Sequence, residues 1–174
     1  MKQTISSTEA ASDADASVEI YGMPGHLIRR MHQAAQAIFD AEMAKAGYDL
    51  TSVQFAALAV IAARPGIDQA TLASAIAFDR TTTGGVIDRL EAKGLVRREI
   101  AKGDRRSRRL HAQPAGKAML QAVTPIVFRV QELMLEGLNV SEKATFMRLL
   151  GKALRTVGDA SRPSSKTLPA VSAP

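Results

Sequence analysis

At 174 residues, with 23 Lys and Arg, 17 Asp and Glu and no Cys, the chain has room for one domain and two tails. The missing Cys excludes disulfides, thiolate metal sites, thiol nucleophiles and cysteine redox sensing together. No run approaches the roughly 18–20 apolar residues of a membrane span, and the opening MKQTISSTEAASDADASVE lacks the apolar core of a secretion signal, so a cytoplasmic location is expected.

The net charge of +6 is unevenly placed. Between Arg80 and Lys117 stand eleven Lys and Arg against four acids, so the remainder of the chain is close to neutral. One concentrated basic segment suits a polyanion such as DNA. A solvated charged face would have the same composition.

Residues 1–20 hold almost no large apolar side chains, and residues 158–174 are rich in Pro and Ser. Both read as flexible tails around a single unit at 21–157. In that unit Leu27, Ile28, Met31, Ala34, Ala35, Ile38 and Phe39 recur at helical spacing, which predicts a long helix at about 25–46 that ends at Gly47. Thr51 and Gln54 form a capping-box signature for a second helix carrying Phe55, Leu58 and Ile61, stopped at Arg64-Pro65-Gly66. Asp68 caps a short helix through Leu72, Ala73 and Ile76. Asp79 caps another, with Val86, Ile87 and Leu90 inward and Lys93-Gly94 as its end.

The period then changes. Leu95–Ile100 and Arg108–His111 read as strands joined by the turn Ala101-Lys102-Gly103-Asp104. Pro114 opens a long helix at about 114–137, in which Pro125 predicts a kink. Ser141 starts a last helix through Met147, Leu150 and Leu154, at about 141–157. The expected fold is mostly α with a small β-hairpin: a winged helix-turn-helix over residues 51–112, flanked by long helices that pair two subunits.

Major-groove readout needs donors and small groups at a helix N-terminus. Arg80, Thr81, Thr82 and Gly84 supply them, with N-terminal capping as the competing role for the threonines. Thr83 shares the inward face and is expected in the core. Gly84-Gly85 inside a helix costs roughly 1 kcal/mol per Gly relative to Ala, which points to close approach by DNA or by a neighbouring helix. In the wing, Arg97, Arg98 and Lys102 are expected near phosphates, which position the protein without specifying sequence, and Arg106 and Arg108 are also expected at the DNA. Arg105 is expected to enter the minor groove.

The segment IDQATLASAIAFDRTTTGGVIDRLEAKGLVRREIAKGDRRSRRLHAQPAGKAML resembles the MarR family of bacterial regulators. The reading helix and the Asp104-x-Arg106-x-x-x-Leu110 wing signature carry the likeness, and Gly116 after Pro114 matches the next helix start. It extends over about residues 25–157. Ala112-Gln113 replaces the usual Leu-Thr before the long helix, which weakens the cap there. Ala101 stands where the family often has Asp. The resemblance implies a homodimer on an inverted-repeat operator, with Asp104 and Arg106 pairing to hold the wing's shape.

It also implies a small, often aromatic, carboxylate effector held between the dimer helices and the reading domain. His26 and Arg30 lie one turn apart beside Leu27 and Met31, an arrangement suited to an aromatic acid. Tyr21, Phe55 and Phe128 are candidate walls. Intersubunit or capping contacts are the other use for His26 and Arg30. The opening Pro-Gly-His-Leu-Ile-Arg-Arg is similar to a branch of the family that governs nicotinate catabolism, which implies a hydroxylated nicotinate as ligand.

No HExxH, GxSxG or phosphate-loop motif is present, and His26, His32 and His111 are not spaced to chelate together. No enzyme activity, metal or cofactor is therefore expected. The alternative function is an architectural DNA-binding protein that needs no effector.

Overall fold

The computed structural model describes residues 20–101 and 104–160, without the side chains of 101, 104–107 and 158–160. Lys102 and, of the tails expected at 1–20 and 158–174, residues 1–19 and 161–174 lie outside the described residues; residue 20 belongs to a 3-10 turn and 158–160 to the last helix. A short 3-10 turn at Ile20–Gly22 leads into α1 (Pro24–Lys45), followed by α2 (Ser52–Ala63), α3 (Gln69–Ala75) and α4 (Arg80–Ala92). The hairpin strands β1 (Val96–Ala101) and β2 (Asp104–Ala112) precede α5 (Pro114–Met134) and α6 (Val140–Ala160). This is the expected winged helix-turn-helix between long helices.

Local chemistry sets most boundaries. Thr51 and Gln54 satisfy each other's backbone N–H groups in a capping box. Asp68 accepts from the Thr71 N–H at 2.9 Å, and Asp79 accepts from the Thr82 N–H at 2.8 Å. Gly47 and Gly94 take positive φ just past the ends of α1 and α4, a conformation that Gly adopts without strain. Gln113 precedes α5 without a side-chain cap, in keeping with the weak cap expected there. The helix continues through Pro125, which has no N–H to offer the carbonyl four residues back.

Several boundaries differ from the expectation: α5 ends at Met134 and α6 runs on to Ala160, and two starts are displaced. The last helix begins at Val140, with Asn139 rather than Ser141 at its start. Asn139 Oδ1 accepts from the Glu142 N–H at 3.0 Å, and Glu142 Oε2 accepts from the Asn139 N–H at 2.8 Å, a capping box built on Asn. β2 begins at Asp104, four residues before Arg108, because Ala101 pairs with Asp104 across a register shift after Ile100.

The core gathers Phe39 and Met43 of α1, Leu58 and Ile61 of α2, Leu72 of α3, Val86, Ile87 and Leu90 of α4, and Val123 and Val130 of α5. Val96 and Leu110 seat the wing on it, and Ile67 bridges to Leu110 so that the α2–α3 link runs beside β2. Gly116 allows the start of α5 to press against this seat: a Cβ there would stand 2.2 Å from the Leu95 carbonyl oxygen. Glu42 of α1 and Arg129 of α5 pair at 3.1 Å, tying the two long helices. In contrast, α6 buries none of its described residues.

Candidate nucleic-acid interface and ligand cleft

The N-terminal end of α4 projects Arg80, Thr81 and Thr82 into solvent. No carboxylate among the described residues lies within ion-pair distance of Arg80, so its guanidinium is available to an external acceptor. The threonines divide. Thr81 is exposed, whereas the Thr82 hydroxyl donates to Asp79 Oδ2 at 2.5 Å and serves the cap. That side-chain bond, with the Thr82 backbone bond, holds the Asp79 carboxyl below the usual carboxylate range. Thr83 is buried, its hydroxyl donating to the Asp79 carbonyl at 2.7 Å.

Gly84 has a neighbour within the protein. Gln69 Nε2, at the start of α3, donates to the Arg80 carbonyl at 3.0 Å and stands 3.1 Å from where a Gly84 Cβ would be. The small residue at 84 thus lets the two helices of the motif meet. Gln69 was not singled out from sequence, and only its place at the first position after the Asp68 cap hinted at such a contact.

The wing requires a correction. Arg98 was expected at a phosphate, but its guanidinium pairs with Asp88 at 2.5 Å and with Glu91, while its own N–H donates to Glu91 Oε1 at 3.1 Å. Burial works against the charge on Arg98, but the bonds to Asp88 and Glu91 outweigh it and hold its pKa above the ordinary arginine value. The residue fastens the wing to the reading helix. Arg97 faces the other way and is half exposed, pairing with Glu99 at 2.9 Å; His111 Nε2 approaches the same carboxylate at 3.2 Å. Arg108 is exposed on β2, and Arg109 donates to the Gly66 carbonyl at 3.2 Å. The side chains of Asp104, Arg105 and Arg106 lie outside the described residues.

At the other end of the molecule, α1, α5 and α6 border a cleft of about 630 Å³. Leu27, Ile28, Met31, Met134, Phe146 and Leu150 make it apolar, and Arg30 and His32 are its polar margin. Tyr21 and His26 sit together at the start of α1, their rings edge to face with centroids 5.6 Å apart. The Nε2 atom of His26 is buried with no hydrogen-bond partner among the described residues. None of the three expected walls lines the cleft, and Tyr21 and His26 stand together outside its lining. Phe55 packs on Phe39 at the edge of the core, with ring centroids 6.3 Å apart, and Phe128 is 67% exposed on α5; neither lines the cleft. Both belong to stripes whose rotation about the helix axis sequence spacing alone did not fix. Among the described residues no group of three or more His, Asp or Glu is placed to hold a metal ion, and no helix is long and apolar enough to cross a membrane.

The MarR family pattern matches residues 48–107, from within the α1–α2 link into the second wing strand. The HTH-type transcriptional repressor NicR of Pseudomonas putida is 34% identical over 130 residues, which cover 75% of this chain and 81% of NicR. The chain belongs to the MarR family. Its fold agrees with that of BpsR from Bordetella bronchiseptica, solved to explain regulation of its DNA binding by 6-hydroxynicotinic acid. That similarity has a TM-score of 0.70 and 28% identity, over 79% of this chain and 98% of BpsR. The repressor CouR, solved on a 23-mer DNA duplex, superimposes with a TM-score of 0.70 and 26% identity, over 78% of this chain and 95% of CouR. This MarR protein is therefore a DNA-binding transcriptional regulator, and its relatives are regulators rather than enzymes.

Proposed function

We propose that the protein is a homodimeric, cytoplasmic repressor that binds an inverted-repeat operator and leaves it when a small aromatic carboxylate binds near His26 and Arg30. Residues 21–157 act as the working unit, with α1, α5 and α6 pairing the subunits. The observation that carries the DNA-binding half is the exposed N-terminus of α4, where the Arg80 guanidinium has no carboxylate partner among the described residues. Arg80 and Thr81 read base edges, Thr82 orders the helix start, and Arg97, Lys102 and Arg108 contact phosphates. Arg105 enters the minor groove, while Arg106 pairs with Asp104 to shape the wing.

Dimerisation is supported by α6. Leu154 is 62% exposed and Met147 57% exposed on a helix none of whose described residues is fully buried in its own chain. An apolar stripe of this length in water calls for a second copy. The effector half is supported by the orphaned His26 Nε2 and by Arg30 beside an apolar cleft. The likeness to NicR and to BpsR favours a hydroxylated nicotinate.

Selection of duplexes from a random DNA pool tests the reading. It should yield an inverted repeat with half-sites about one helical turn apart, released by 6-hydroxynicotinate or a related aromatic acid. An architectural binder would enrich no sequence and respond to no ligand.

A further inference from the structure

The reading helix carries two consecutive glycines, and the fold accounts for only one of them. At Gly84 a Cβ would stand 3.1 Å from the Gln69 amide nitrogen, a tight contact with a group held in place by its bond to the Arg80 carbonyl. At Gly85 a Cβ would meet nothing within 4 Å among the described residues. Gly85 is also absent from the positive-φ glycines, so its backbone is ordinary helix that any residue adopts. Ala is the better helix former at such a position. The chain thus keeps a weaker helix former where neither packing nor backbone geometry asks for it.

The surroundings of Gly85 point outward. Thr83, Val86, Ile87 and Leu90 form the buried face of α4. At roughly 100° per residue, the opposite face is centred on Thr81, Gly85, Asp88 and Ala92. Arg80 and Arg89 flank that face on its two sides, both exposed and neither with a carboxylate partner among the described residues. Asp88, which would repel phosphate, is held by Arg98. The result is a ridge that is low between Thr81 and Gly85, with the Asp88–Arg98 pair one turn further along it and the cations Arg80 and Arg89 to its sides.

We infer that Gly85 is the clearance point of the reading helix: its missing side chain lets the α4 backbone settle close to the base edges, so that Arg80 and Thr81 reach them. A methyl group at 85 holds the whole helix away from the groove floor. This inference rests on the proposed role of α4 in reading DNA.

The variant Gly85→Ala, compared with wild type on a duplex selected from a random pool, separates fold from function because the two effects have opposite signs. Its thermal midpoint should rise by about 2–4 °C. Its affinity for the selected duplex should fall by about tenfold or more, the loss of one good base contact. Binding to a random-sequence duplex at low salt should stay within about twofold, since phosphate contacts do not require deep seating. Unchanged affinity for the selected duplex, an equal loss on both duplexes, or a lower thermal midpoint would each overturn the inference. Arg80→Ala run in parallel locates a failure. If Arg80→Ala weakens the selected duplex and Gly85→Ala does not, only the clearance role falls. If neither does, α4 is not the reader and both fall.

Discussion

Arg98 on the first wing strand and Asp88 on the reading helix form an ion pair at 2.5 Å, and Glu91, one turn further along α4, closes on the same guanidinium. The contact does two things at once. It ties the wing to the reading helix, and it pairs two carboxylates that would repel phosphates if α4 reads DNA as proposed. Arg98→Ala should therefore weaken binding to every duplex and lower the thermal midpoint. Adding Asp88→Asn to that variant should recover part of the affinity, with a coupling of about 0.5–3 kcal/mol. A simple phosphate contact at Arg98 predicts no recovery, and mobility-shift titrations of the two single variants and the double variant decide.

Arg80 and Arg108 should fail differently. Arg80→Ala should lose about 1–3 kcal/mol on the selected site and relax preference at one base position. Arg108→Ala should weaken all sequences nearly uniformly and reduce the salt slope by about 1. Selection profiles of the two variants that cannot be told apart would contradict the division into base and phosphate contacts.

The start of α5 is packed without slack. Gly116→Ala would place a Cβ 2.2 Å from the Leu95 carbonyl oxygen and 3.1 Å from Leu58 Cδ1. Backbone must shift to admit it, at a cost of about 1–3 kcal/mol. A lower urea midpoint with an unchanged m-value is the expected outcome. A midpoint equal to wild type would mean that α5 moves freely against the wing seat.

The helix caps give the protein an acid limb. The Thr71 backbone N–H leads the interactions that hold the Asp68 carboxyl below the usual range, and the Thr82 hydroxyl leads those at Asp79. A carboxyl whose pKa is depressed by folding contributes its full stability above its unfolded value of about 4. That contribution is lost as the pH falls from there through the lower folded value. The Asp68→Asn and Asp79→Asn variants should each flatten stability against pH in that window, and leave it parallel to wild type near neutrality. Thermal midpoints measured between neutrality and strong acid check this.

Much of the fold was legible because its signals are local. Thr51 with Gln54, Asp68, Asp79, Gly47 and Gly94 each mark a boundary through bonds made within four residues. Asn139 was passed over for Ser141, although Glu142 stands three residues after it and completes the same capping pattern. The site was less legible because its decisive contacts are distant in sequence. Arg98 was read as a free cation, yet strand alternation carried a hint: Val96 is buried, so Arg98, two residues on, lies on the same face and turns towards α4. Gln69 against Gly84, and Lys93 pairing with Asp49 at 2.8 Å, join separate elements and left no local mark. Phe128 stands on a helix that borders the cleft but on another face of it, and Phe55 stands on α2, which does not border the cleft; only packing determines either placement.

The central claim is that ligand binding near His26 and Arg30 is coupled to DNA release. The most direct measurement is an anisotropy titration of a labelled selected duplex, with wild type and Arg30→Ala, in the absence and presence of 6-hydroxynicotinate. The ligand must bind better to a dimer whose reading helices are wrongly spaced for successive grooves. A coupling of about 1–3 kcal/mol then weakens wild-type binding about 5–150-fold. Arg30→Ala should bind the duplex nearly as well as wild type and show no response to the ligand. Wild-type affinity unmoved by saturating ligand, or Arg30→Ala releasing DNA as wild type does, would contradict the account.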